Sequence, residues 1–286
     1  MNRDERVELL AEAVSLARGF AAQYCWADPR SGESCALHHG IWTCARLLDL
    51  VGSPGADAAF WGRALEPLSH LGHEPRILLS GASDHGFLEL IFGLLRAGGT
   101  RAELHLLDRC ETPLRLNRWY AAQVAVTLHT VQSDILAYVP DRPFDVIGAH
   151  AFIDQLPPAA WPALLQTWWR ALAPGGRVIA LNRLRTEDEA SSDRMAALEA
   201  RDFRPLIERV NARLPARLRL PVEPLAAEVA RYWRQRAPTP FRSAAMLVEL
   251  FERTGFVIEC AEEGFAEITG RALSRSRRLR LIARKS

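Results

Sequence analysis

The stretch from Arg76 to Cys110 constrains the chain more than any other. Arg76-Ile77-Leu78-Leu79-Ser80 is a short apolar run that stops at Gly81-Ala82-Ser83-Asp84-His85-Gly86, after which Phe87, Leu88, Leu90, Ile91, Leu94 and Leu95 recur at helical spacing. Gly98-Gly99 stops that helix, because glycine takes the left-handed cap conformation without a Cβ clash. Glu103 to Leu107 then reads as a second strand closing on Asp108. The pattern is strand, tight turn, helix and strand, with an acid at the second strand's tip.

The small residues of the turn let a ligand approach the backbone, and the helix that follows offers free N–H groups and the positive end of its dipole. Asp108 lies 22 residues beyond Gly86, where a carboxylate can accept both hydroxyls of a ribose. These residues point to a nucleoside, although a βαβ unit that binds nothing presents a similar turn. NAD fits poorly: Ser83 stands at the second glycine position of G-x-G-x-x-G, and Asp84 would repel a diphosphate.

With 286 residues, 49% of them hydrophobic, the chain can build a large core. Its 36 basic and 34 acidic residues leave a net charge of +2, which predicts neither nucleic acid nor a membrane surface as a partner. Five cysteines form no C-x-x-C pair, as expected of reduced thiols in a cytoplasmic protein. Neither an export signal nor a membrane span is expected, since no window approaches 18 consecutive apolar residues.

Residues 1–72 read as a helical cap, with helices over Asp4–Gln23, Ala36–Val51 and Ala58–Leu71, ahead of an α/β domain over 73–286. Within the cap, His38 and His39 are adjacent and therefore point about 100° apart on a helix. They cannot share an ion as an i, i+4 pair does, and no cysteine or carboxylate is read at matching spacing, so no metal is expected. His38 and Trp42 are candidates for a substrate pocket, against a surface or hydrogen-bonding role.

Past Asp108, a helix is read over Thr112–Ala122 and a third strand over Val124–Leu128, extending to Val131. Phe144–His150 is the fourth strand. In an open parallel sheet the ligand crevice lies beyond the carboxyl ends of the strands, so His150, Phe152 and Asp154 face the same opening as Gly81 and Asp108. His150 is the titratable side chain best placed to remove a proton. A helix over Trp161–Leu172 leads to a strand at Arg177–Leu181. An insertion at about 186–240 opens with a charged helical stretch and is then cut by prolines; its Tyr232 and Trp233 either line an acceptor pocket or anchor the insertion. A helix over Ala244–Thr254 and strands at Phe256–Cys260 and Arg278–Ala283, joined by a turn near Glu262-Glu263-Gly264, close the chain. Two strands joined without a helix pair antiparallel or lie apart.

The sequence resembles the class I S-adenosylmethionine (SAM) dependent methyltransferases over about Pro75–Arg185 and Phe241–Arg284. The likeness is carried by the glycine turn, Asp108, Asp134-Ile135, the Leu172-Ala173-Pro174-Gly175-Gly176 strand entry and the terminal strand pair. It implies a Rossmann-like, doubly wound sheet of seven strands, mostly parallel with an antiparallel last strand, and SAM as cofactor. Gly81, Ala82, Ser83, Asp84 and Gly86 would surround its methionine part, Asp108 and Arg109 its ribose, and Asp134 and Ile135 its adenine; His150 would lie beside it. Asp134 also reads as an ordinary helix N-cap. The family's D-x-G-x-G-x-G run is replaced here by Ser80–Gly86. In it, Asp84 could pair with the cofactor ammonium and Ser83 donate to its carboxylate. The expected function is methyl transfer to a small molecule, with a homodimer allowed. The alternatives are aminocarboxypropyl transfer or ring closure releasing methylthioadenosine, or a non-catalytic binding protein.

Overall fold

A computed structural model of the protein describes residues 3–27, 34–185, 201–235, 241–265 and 277–286. Seven strands form one sheet: β1 (Arg76–Ser80), β2 (Glu103–Asp108), β3 (Leu128–Gln132), β4 (Phe144–His150), β5 (Leu172–Leu184), β6 (Phe256–Phe265) and β7 (Arg277–Lys285). Their order is β3-β2-β1-β4-β5-β7-β6. The first five pair in parallel, and β7 runs antiparallel between β5 and β6. The chain reverses direction across the sheet between β1 and β4, and at such a switch point the strand tips part to leave a crevice.

Each face of the sheet is covered because β1 and β4 are apolar on both sides, as buried parallel strands must be. On one face α6 (Trp161–Ala171) and α9 (Ala244–Arg253) pack Trp161, Leu164, Trp168 and Phe251 against Phe144, Val178 and Leu281. On the other, α3 (Ala58–Leu65), α4 (Gly86–Ala97) and α5 (Glu111–Gln123) bring Trp61, Phe87, Ile91 and Tyr120 onto Leu79, Leu106 and Ile179.

A third apolar core lies outside the sheet. In it α1 (Arg3–Tyr24) and α2 (Ala36–Leu47) pack with α7 (Arg204–Asn211) and α8 (Val222–Gln235) through Val14, Ile41, Leu48, Phe203, Ile207, Leu225, Val229 and Trp233. The N-terminal helices and the described part of the insertion are therefore one layer. The charged stretch at the start of the insertion lies outside the described residues.

Three strand boundaries differ from those expected. Val124–Val126 is the turn that closes α5: Ala125 takes φ 52° and the Val126 N–H returns to the Ala121 carbonyl, so β3 starts only at Leu128. β6 runs through the expected turn at Glu262–Gly264 to Phe265, because each of those residues pairs with β7. β5 begins inside the Leu172–Gly176 motif, where Leu172 pairs with Phe144 before the register shifts. No helix among the described residues is long and apolar enough to cross a membrane.

Candidate active site

The turn after β1 is set by Gly81, whose φ of 77° suits glycine and whose missing Cβ leaves room for the Phe152 ring lying over it. Asp108 reaches back from the tip of β2: one carboxylate oxygen accepts the Ala82 N–H (3.0 Å) and the other the Cys110 N–H (2.8 Å). Burial raises its pKa, while those two N–H groups pull the other way. Asp108 thus faces the glycine turn with lone pairs to spare, as a ribose ligand would need.

Asp84 does something different from what the sequence predicted. Its carboxylate is buried and receives the Arg46 guanidinium at 2.6 Å and the Gly86 N–H at 2.9 Å. Arg46 comes from α2 and also lies 3.6 Å from Glu89. Burial alone would raise the Asp84 carboxyl, but the Arg46 charge holds it below the usual carboxylate range. The acid expected to pair with a cofactor ammonium is instead engaged by the protein's own cation, and Asn117 pins the same loop by donating to the Asp84 carbonyl (3.3 Å).

A cavity of about 330 Å³ opens at the strand tips, between the glycine turn, the end of β4 and the helical layer. It brings together Gly81, Ala82, Ser83, Asp84, His38, Trp42, His150, Asp154 and Tyr232 among the expected residues, and adds Phe87, Gln155 and Arg183. His38 connects its walls: Nε2 lies 2.8 Å from the Ser83 hydroxyl, Nδ1 lies 3.3 Å from the Tyr232 hydroxyl, and the ring packs on Trp42 with centroids 5.4 Å apart. Ser83, expected at a cofactor carboxylate, thus already meets a partner in the cap.

His150 meets this cavity with its Nε2 shielded from solvent and without a hydrogen-bond partner among the described residues. Burial, and then the Arg278 charge, push its pKa down to about 4. At neutral pH it is an uncharged imidazole. It can hold a hydrogen bond, but it is a weak base for the proton removal expected of it, since a general base works best with a pKa near the operating pH.

Other expected residues lie elsewhere. Asp108, Gly86, Arg109, Asp134, Ile135, Phe152 and Trp233 are not among the described residues lining the cavity. Arg109 is exposed, and Asp134 caps a short 3₁₀ turn by accepting the Leu136 N–H at 2.9 Å, which is the ordinary N-cap role. Ile135 is buried in the sheet core and Trp233 in the helical core, where Trp233 anchors the insertion.

The expectation for the histidine pair also needs correction. His38 and His39 do diverge, but His39 turns away from the cavity into a cluster with Cys25, Cys35 and Cys110. The signal was present in the sequence: Cys35 and His39 stand four apart, one helical turn, and Cys110 follows Asp108 by two residues.

No family model and no curated protein matches the chain. Among solved structures, it is similar to a protein of Nostoc punctiforme PCC 73102 described as a candidate O-methyltransferase. That match has a TM-score of 0.51 and 17% identity, and covers 96% of this chain and 67% of the other. It is also similar to the pyocyanin biosynthetic protein PhzM, with a TM-score of 0.50 and 19% identity, covering 94% of this chain but only 62% of PhzM's length. The N-methyltransferase NodS of Bradyrhizobium japonicum WM9, solved with S-adenosylhomocysteine, matches at a TM-score of 0.49 and 13% identity over 82% of this chain and 89% of NodS. The strand order, the antiparallel β7, the acid at the tip of β2 and the likeness at TM-scores of 0.50 and above converge on one architecture. The chain has the class I methyltransferase fold.

Proposed function

We propose that the protein transfers a methyl group from SAM to a small molecule held in the cavity beneath the helical layer. The observation that carries this reading is the cavity itself. It joins the glycine turn to a wall of His38, Trp42 and Tyr232 from the helical layer, with the unpartnered Nε2 of His150 between them. A buried polar atom without a partner costs stability unless something occupies the site, so His150 supports a polar group bound there.

On the adenosine side, Asp108 would hold the ribose hydroxyls from the tip of β2. On the methionine side the fit rests on the backbone of Gly81 to Ser83, because Asp84 is committed to Arg46. When bound, SAM supplies an electrophilic methyl group, so the protein's task is mainly alignment and exclusion of water. Trp42, Phe87 and Tyr232 suit a flat, largely apolar acceptor; His150, neutral, would orient its nucleophilic atom. A pKa of about 4 leaves His150 a positioning partner more than a proton acceptor.

Isothermal titration with SAM and with S-adenosylhomocysteine tests the reading. Both should bind, and Asp108→Ala should weaken each by on the order of tenfold or more, equivalent to about 1.4 kcal/mol. Absence of heat with either ligand refutes it. Release of methylthioadenosine during turnover, instead of S-adenosylhomocysteine, would assign the chemistry to aminocarboxypropyl transfer or ring closure.

A further inference from the structure

Four side chains from three distant parts of the sequence converge beside the Asp108 turn. Cys25 follows the last residue of α1, Cys35 is the N-cap of α2 with His39 one turn further along, and Cys110 is the N-cap of α5. Their ligand atoms all lie within 4.8 Å of one another. Cys110 Sγ is 3.6 Å from Cys25 Sγ and 3.7 Å from Cys35 Sγ, and His39 Nδ1 is 3.3 Å from Cys25 Sγ.

These spacings match one chemistry. Zinc binds thiolate at about 2.3 Å and imidazole at about 2.0–2.1 Å; around a tetrahedral centre that sets sulfurs about 3.8 Å apart and sulfur to nitrogen about 3.5 Å. A disulfide needs sulfurs about 2.0 Å apart and would still strand the third thiol and the buried imidazole. Three thiols with an imidazole are soft ligands, unsuited to magnesium or calcium, which take oxygen.

We propose that Cys25, Cys35, His39 and Cys110 bind one thiophilic divalent cation of the zinc class in a closed tetrahedral site. Four protein ligands leave no coordination position for a substrate, so the ion is structural. It ties the end of α1 and the start of α2 to the loop leaving β2. Because the Cys110 N–H also donates to the Asp108 carboxylate, the ion steadies the turn that aims Asp108 at Ala82. Thr112 supplies an outer contact: its hydroxyl lies 3.2 Å from Cys25 Sγ and 3.1 Å from the Phe20 carbonyl. The proposal is independent of the methyl-transfer reading.

The test uses the full chain, purified under reducing conditions, with elemental analysis followed by anaerobic exchange into cobalt(II). About one ion per chain is expected, with the intense visible bands of tetrahedral cobalt and a near-ultraviolet thiolate charge-transfer band. Cys35→Ser and His39→Ala should each lower bound metal to below about a tenth of the wild-type content at matched free metal. Cys260→Ser, on β6 and outside the cluster, should retain it. Since these variants can misfold, the wild-type cobalt spectrum decides by itself. Failure of the reduced wild type to take up stoichiometric metal overturns the proposal. So does a weak octahedral cobalt spectrum without charge transfer, or a disulfide between any two of the three cysteines in freshly prepared protein.

Discussion

Replacing Asp84 with asparagine separates a structural loop acid from a cofactor-gripping one. The amide introduced by Asp84→Asn would keep an oxygen to accept the Gly86 N–H at the start of α4, so the substitution removes chiefly the charge facing Arg46. Arg46 is 8% exposed and would retain, among the described residues, the Glu89 carboxylate at 3.6 Å. Breaking a buried pair from one side costs about 3–5 kcal/mol, because the remaining charge stays desolvated. With Glu89 in partial compensation the lower end is expected, about 3 kcal/mol, or roughly 6–12 °C in Tm for a chain of this size. Arg46→Met should cost a similar amount, and the double variant should be less destabilised than the sum by about 2–3 kcal/mol.

Urea denaturation followed by tryptophan fluorescence measures this. The pH dependence has a fixed sign: the folded pKa of Asp84 is depressed, so its contribution is complete above the unfolded value of about 3.9 and disappears as pH falls through the folded value. The gap between wild type and Asp84→Asn should therefore hold from pH 7 down to about pH 4 and narrow below it. An Asp84→Asn protein within about 0.5 kcal/mol of wild type at pH 7, or strict additivity with Arg46→Met, refutes the ion-pair argument. A variant that keeps its stability and loses S-adenosylhomocysteine binding would restore the cofactor role that the sequence first implied.

His85 is 1% exposed, stacks on Tyr120 at 4.8 Å and has its pKa pushed down to about 4 by burial. The unfolded chain takes up its proton near pH 6.5, so stability should fall as pH drops from about 6.5 to about 4, by roughly 3 kcal/mol in all, and His85→Phe should flatten that slope in acid-titrated melts. For methyl transfer, the His150 pKa of about 4 predicts a rate profile with no His150 ionisation between pH 5.5 and 8, in contrast to a catalytic base titrating near neutrality. Asp57, buried against Arg278 and accepting Arg280 Nε at 2.8 Å, holds β7 to the turn before α3. Asp57→Asn should cost about 3–5 kcal/mol in denaturant titration by stranding Arg278. Trp168 is fully buried and donates to Ser80 Oγ at 3.2 Å, so Trp168→Ala should cost about 3–5 kcal/mol, measured the same way.

Much of the sheet could be read from the chain because its signals are local. β1 is an apolar run ended by a glycine, and the Asp108 position follows from one helix length. What sequence hid was set by distant partners. β3 reads poorly since Leu128–Gln132 is a half-exposed edge strand that mixes polar and apolar residues, while the more apolar Val124–Val126 is the turn after a helix. β6 reaches Phe265 only because β7, beyond residue 276, supplies its ladder. The role of Asp84 is hidden in the sequence because its cation comes from Arg46, 38 residues upstream in another helix. The thiol cluster is only half legible: Cys35 and His39 stand one helical turn apart, but Cys110 lies 75 residues beyond Cys35.

The core that joins α1 and α2 to α7 and α8 has a consequence for synthesis. The ribosome delivers Val14, Ile41 and Leu48 long before Phe203, Ile207 and Val229. Until β5 has been passed and those later residues emerge, the apolar flank of the first helices has no permanent cover, which leaves the nascent chain open to chaperones and to self-association. A protein truncated after β5 would thus be expected to carry a finished parallel sheet beside an adhesive, half-built helical layer, and to precipitate for that reason.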